Sequence, residues 1–397
     1  MPARHRTLVC LAFASALFGC ASPPPPAPPK PVVVGPPTDT VKIPLTDLLT
    51  ATYYGNAGGI YPGGINQPPA DHDSAARARR NSIKPLDVNG DESPFGKYVL
   101  LSIGMSNATQ EWCSAASGPP CAAWTFMGKA AADPGVNHYT LVVVNGAADG
   151  QDAPQWTSAT SPTYDRIKVA RLAPLGLSEN QVQAAWVKLD DPKPSVSLAG
   201  RVDTVHPTPA DSAHPPRADS VRPTRADTVH PVLANSVHRV PADSADAKVL
   251  LANLGLVLRA LRVRYPNLRL VFLSSRIYGG YATTDLNPEP YAYESGFSVK
   301  WVIESQINEM RRLPGNPRAG TLDYTKKAAP LILWGPYMWA DGATPRSDGL
   351  AWQRADFEED GMHPSQSGEA KVADRLIDFF KNSPYTRCWF VTSGYCL

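Results

Sequence analysis

Five short runs rich in β-branched and apolar residues, Val99–Ile103, Leu141–Val144, Val182–Asp190, Leu268–Leu273 and Pro330–Trp334, alternate with stretches of helical character, chiefly Ala247–Val263, Phe297–Arg312 and Gln366–Lys381. Runs without polar/apolar alternation suit strands buried on both faces. Strands separated by helices pair in parallel through crossovers, so the chain is constrained to an α/β fold with a mainly parallel sheet covered on both sides. In such a sheet the reactive groups collect beyond the carboxyl ends of the strands. Where the first run ends, at Ile103-Gly-Met-Ser106-Asn107, Gly104 permits a sharp turn. Ser106 can then project into the crevice as a nucleophile, or simply cap the helix that follows.

Far downstream the chain reads Asp360-Gly-Met-His363-Pro-Ser365, immediately before the last helical stretch. A serine hydroxyl is a weak nucleophile until a base takes its proton, and the base needs a carboxylate to fix its tautomer and stabilise the imidazolium. Asp360 and His363 can supply both from one turn. A serine after the first strand, with Asp-x-x-His before the last helix, resembles the SGNH (GDSL-like) hydrolase superfamily. That resemblance implies a flavodoxin-like α/β/α sandwich, esterase chemistry with catalytic Ser106, Asp360 and His363, and no cofactor or metal.

The resemblance is uneven from block to block. Gly104-Met-Ser106-Asn107 keeps the nucleophile of the first block but not its neighbours. Leu141-Val-Val-Val-Asn-Gly-Ala-Ala-Asp-Gly150 is similar to the second block, which implies that the Gly150 amide joins that of Ser106 in an oxyanion hole. The third block, with its asparagine donor, has no match, and Val182–Asp190 falls where it should be. Lys188 is the first substitute for the missing donor, with Asn107 and Asn145 as the others. An ordinary α/β-hydrolase is disfavoured, because Gly104-Met-Ser106-Asn-Ala108 lacks the second glycine of Gly-x-Ser-x-Gly.

The segments outside the alternating pattern divide the rest of the chain. Arg4-His-Arg6 and the apolar run Thr7–Phe18 suit a signal peptide over 1–19, too short for a membrane span. Leu17-Phe-Gly-Cys20 resembles the lipobox of bacterial lipoproteins, which implies lipidation of Cys20, a membrane partner through that lipid, and a cell-envelope location. Proline-rich residues 20–40 read as a polyproline tether, and 41–95 as an irregular lead-in to a hydrolase domain over 96–397. Asp87-Val-Asn-Gly-Asp91 reads as an ordinary turn, since Tyr98 stands where a calcium loop needs its twelfth ligand. Residues 200–246 repeat every eight, as in Asp211-Ser-Ala-His-Pro and Asp227-Thr-Val-His-Pro. A period of eight fits neither helix nor strand, so this tract is expected to be a disordered insertion, and its histidines are not a metal site.

Of the six cysteines, Cys10 falls in the signal peptide and Cys20 is the expected lipid site, leaving Cys113/Cys121 and Cys388/Cys396 as two pairs with the same eight-residue separation. In an exported chain these are expected to be local disulfides. A formal charge of +2 gives no reason to expect a nucleic-acid partner. Aromatic loops after the last two strands, with Tyr278 and Tyr281, then Trp334, Tyr337 and Trp339, are candidates to stack on a sugar ring or acyl group, or else to lie in the core. The expected function is hydrolysis of an ester, with an O-acyl group of a polysaccharide as the substrate. A surface-binding lipoprotein that keeps the fold without efficient catalysis is the rival.

Overall fold

A computed structural model describes residues 40–114, 119–200 and 245–393. The signal segment, Cys20, the tether, the octapeptide repeat and Cys396 lie outside the described residues. Five parallel strands form the sheet: β1 (Tyr98–Gly104), β2 (Leu141–Asn145), β3 (Val182–Lys188), β4 (Leu270–Leu273) and β5 (Leu331–Trp334). Their order is β2-β1-β3-β4-β5, the flavodoxin-like arrangement, with the direction of winding reversing between β1 and β3. The expected α/β/α sandwich is therefore the observed fold.

Alternate residues of each strand feed two separate cores. Leu101, Ile103, Val187, Val271, Leu273 and Ile332 face one layer, while Leu100, Trp186, Phe272, Leu331 and Leu333 face the other. This is why the strands read as continuous apolar runs. The first layer is built by the short α4 (Pro162–Ile167), α5 (Asp246–Arg264) and α6 (Tyr291–Met310). The second holds α2 (Ser106–Trp112), α3 (Phe126–Ala132) and α7 (Gln366–Asn382). Helix α6 begins six residues before the expected Phe297, because its first two turns bury Ala292 and Tyr293 rather than presenting a stripe that repeats along the chain.

Residues 41–95 are not an irregular lead-in but part of the domain. Ala70–Asn81 forms a 12-residue helix, α1, with Asp71 and Asp73 in its first turn and Arg79 and Arg80 in its last, complementing the helix dipole. It escapes a search for apolar periodicity because it buries His72, Ala76 and Arg80. The segment closes the open edge of β5: His72 Nε2 donates to the Ile332 carbonyl at 2.8 Å, and the Trp334 amide donates to Tyr61 Oη at 3.2 Å. An uncovered edge strand would otherwise offer these groups to another chain. Leu45, Leu48, Tyr53 and Tyr61 are all buried in the first layer. The Asp87 loop is an Asx turn, its carboxylate accepting the Asn89 and Asp91 amides.

At the insertion, the expected boundary of 200–246 is too wide. The Asp246 amide donates to the Val196 carbonyl at 2.8 Å and its carboxylate accepts the Ser195 and Val196 amides, so the start of α5 is stitched to the chain preceding Gly200. The Cys113–Cys121 disulfide is formed, closing the loop that follows α2. Cys388 is also disulfide-bonded.

Candidate active site

The serine is presented by packing below it. Helix α2 starts at Ser106, directly after Met105 leaves β1 in extended conformation. Its other end is fixed by Trp112, which stacks on Trp186 of β3 with ring centroids 5.1 Å apart and planes 9° apart. Gly104 is required for space, rather than for the turn expected from the sequence: a Cβ there would lie 2.4 Å from the Ala108 Cβ and 2.7 Å from the Lys188 carbonyl oxygen. Any side chain would push α2 away from β3 and displace Ser106 with it.

The histidine arrives from the opposite end of the chain on the turn Asp360–His363. Asp360 Oδ1 accepts the amides of Met362 at 2.9 Å and His363 at 3.0 Å, which folds the turn so that Oδ2 meets His363 Nδ1 at 2.6 Å. Gly361 has φ of +66°, and a Cβ on it would collide with the Tyr281 carbonyl. Asn107 Nδ2 donates to the Met362 carbonyl at 3.0 Å, tying this turn to the serine's own helix. The result brings His363 Nε2 to 2.8 Å from Ser106 Oγ. Burial raises the Asp360 carboxyl, but hydrogen bonds from the two amides and the imidazole outweigh it and leave the group below its ordinary range. It is therefore an anion that holds a proton on Nδ1, so that Nε2 is free to accept one from Ser106.

A small pocket opens on this pair, lined by Met105, Ser106, Asn107, Asp152, Pro192, Arg276, Leu286, Asn287, Met362 and His363. It sits at the carboxyl ends of β1, β3 and β4, beside the reversal in strand order, where ligands of open α/β sheets bind. Burial pushes the Asp152 carboxyl up. It drives Asp190, just behind, up to about 8, despite the opposing pull of Arg276.

Several expected site residues are elsewhere. Lys188 does not aim into the crevice; it is 1 % exposed and ion-paired with Glu111 of α2 beneath it. A strand's last residues alternate faces, and this one falls on the packed face. Gly150 lies on an exposed turn with φ of +67° and does not line the pocket. Asn107 does line it, but with its amide engaged by Met362, and Asn145 is engaged with Ser102 and Thr109. The aromatic residues are not arranged for stacking on a substrate. Trp334, Tyr337 and Trp339 are buried, with Tyr337 Oη accepting the Leu45 amide and Trp339 Nε1 donating to Glu289. Tyr278 and Tyr281 pack edge to face on one another, and Tyr281 Oη donates to the Trp352 carbonyl. The loop after β5 is apolar because the N-terminal segment packs on it through Leu45 and Tyr61, which no local pattern reveals.

Arg276, Asp152 and Asn287 went unnoticed in the sequence. A signal existed for Arg276, which is a charged residue three positions past the apolar strand β4, at the end of the sheet where Ser106 stands. Asp152 and Asn287 stand in loops with no comparable mark.

No family model matches the chain, and no curated protein does so. Among solved structures it is similar to "Salicylyl-Acyltransferase SsfX3 from a Tetracycline Biosynthetic Pathway", at 12 % identity and a TM-score of 0.29, over 72 % of this chain and 54 % of that one.

Proposed function

We propose that the protein is a serine esterase of the SGNH type that hydrolyses esters of short acyl groups. The observation that carries this reading is the hydrogen-bonded series from Ser106 Oγ to His363 Nε2, and from His363 Nδ1 to Asp360, at the mouth of an otherwise small and partly apolar pocket. Ser106 Oγ attacks the ester carbonyl as its proton passes to His363 Nε2. Collapse of the tetrahedral adduct expels the alcohol, which takes that proton, and water then repeats the sequence on the acyl-serine. Met105, Pro192, Leu286 and Met362 supply the apolar wall for the acyl group. The polysaccharide alcohol expected from the aromatic loops loses that support, since Trp334, Tyr337 and Trp339 are internal and the half-buried Tyr278 and Tyr281 do not line the pocket. An alcohol that stays outside the pocket is compatible with the site.

A fluorophosphonate probe tests the reading against a binding protein without catalysis. Stoichiometric labelling is expected, mapped to Ser106 and abolished by acid-denaturing the protein first; no labelling of the folded chain at Ser106 would reject the enzyme. The proposal also retains the envelope location, resting on Leu17-Phe-Gly-Cys20. Expressed in a bacterium, the chain is expected in the membrane pellet, and Cys20→Ser should move it to the soluble fraction; an unchanged distribution would remove the lipid anchor.

A further inference from the structure

Arg276 is a buried cation to which, among the described residues, no carboxylate is hydrogen-bonded or ion-paired. It is 1 % exposed, yet it lines the same pocket as Ser106 and His363. Buried guanidinium groups ordinarily meet a carboxylate through paired N–H bonds. Here Nη1 approaches the Met105 sulfur at 3.7 Å, Nη2 rests on the Met362 sulfur, and Nε has no partner. A thioether is a weak acceptor and carries no charge. Of the acids that attract it, Glu111 is paired with Lys188, Asp360 is paired with His363, burial pushes Asp190 up to about 8, and Asp152, which lines the same pocket, is neither hydrogen-bonded nor ion-paired to it. Met105 directly precedes the serine and Met362 directly precedes the histidine, so the guanidinium touches the residue next to each of the two reacting side chains.

Two kinds of anion could meet it. A permanent carboxylate on a ligand would share the pocket with Asp152, whose own charge is already disfavoured there. The oxyanion of an acyl-transfer step exists only in the transition state and its intermediate, and it lies one bond from the carbon that Ser106 attacks. Other donors for it are few. The amides of Gly146 and Ala147 are given to Ser102 Oγ, and that of Ala148 to the Gly104 carbonyl. Lys188 and the Asn107 side chain are committed as described.

We propose that Arg276 is the oxyanion donor that replaces the asparagine lacking from the sequence; the proposal rests on Ser106 being the nucleophile. As the Oγ–C bond forms, the carbonyl π pair moves onto oxygen, the Oγ proton moves to His363, and Arg276 donates N–H bonds without losing a proton. When the adduct collapses the C=O bond re-forms, and the alcohol leaves with the proton from His363.

The experiment uses the full chain with p-nitrophenyl acetate and mono-p-nitrophenyl succinate. Arg276→Met is expected to lower kcat by about 10² to 10³ on both esters with KM little changed, as for loss of a preset oxyanion donor, and Arg276→Lys to recover part of it. Inhibition by a methyl boronic acid, which forms a tetrahedral adduct on the serine, should weaken in step with kcat/KM. Because an unpaired buried charge opposes folding, Arg276→Met should melt no lower than the wild type. A fall in melting temperature in both variants would make Arg276 structural and overturn the proposal. So would wild-type turnover, or a loss confined to KM of the succinate ester, which would mark a site for a substrate carboxylate. If Ser106→Ala hydrolyses these esters normally, the nucleophile reading has failed; if Ser106→Ala is inactive but Arg276→Met is not, the failure belongs to Arg276 alone.

Discussion

Ser106→Ala and His363→Ala are each expected to lower ester hydrolysis by about 10⁴ to 10⁶, and the double variant to be little worse than either single one. The reason is the 2.8 Å contact between Ser106 Oγ and His363 Nε2: without the base the hydroxyl keeps its proton, and without the hydroxyl the base has nothing to activate. Asp360→Asn should cost about 10⁴ through the wrong imidazole tautomer, since the side-chain oxygen can go on accepting the Met362 and His363 amides while the NH2 group faces His363 Nδ1. Circular dichroism and melting curves should stay close to the wild type for Ser106→Ala, since the hydroxyl contributes one exposed-side hydrogen bond. Initial rates on p-nitrophenyl acetate decide the matter: Ser106→Ala retaining more than a few per cent of the rate would remove it as the nucleophile.

Lys188→Met is expected to act on stability rather than turnover. The ammonium and the Glu111 carboxylate are both buried under the site, and burial dominates both, pushing the lysine down to about 8 and the glutamate up. Removing one partner of such a pair leaves the other as an uncompensated buried charge, at a cost of about 3–5 kcal/mol. For a domain of this size the melting temperature should fall on the order of 10 °C. Lys188→Met combined with Glu111→Leu should recover most of the loss, because replacing a buried pair by apolar side chains is often neutral. Differential scanning calorimetry of the three variants measures this coupling. A normal melting temperature with a hundredfold fall in kcat would instead return Lys188 to the oxyanion hole.

The strands and the Asp360–His363 pair beside Ser106 were legible because their signals are local. Leu100 and Leu101 are both buried, so β1 reads as an apolar run interrupted only by Ser102, and β4 and β5 as unbroken ones. Asp360 and His363 could be paired on the page because three residues suffice to bring the carboxylate to its own histidine. Cys113 and Cys121 close a short loop for the same reason. Ser106 was placed by the strand end that precedes it, although the need for Gly104 turned out to lie in the distant Lys188 backbone.

What the sequence by itself determined was therefore the period of each element, the parallel sheet those periods require, and chemistry carried by neighbours in the chain. Which face a side chain takes at the end of a strand is decided by what packs there. Lys188 and Arg276 each follow or end an apolar strand, yet α2 offers Glu111 to the first, while the second meets two methionine sulfurs at the pocket. The aromatic loop after β5 was decided by Leu45 and Tyr61, which lie hundreds of positions away and meet Tyr337 and Trp334. Helix α1 was decided by the free edge of β5, whose backbone groups needed partners that His72 and Tyr61 provide. Burial and hydrogen-bond satisfaction are properties of the assembled surface, so residues with the same local surroundings in sequence end with opposite roles once that surface forms.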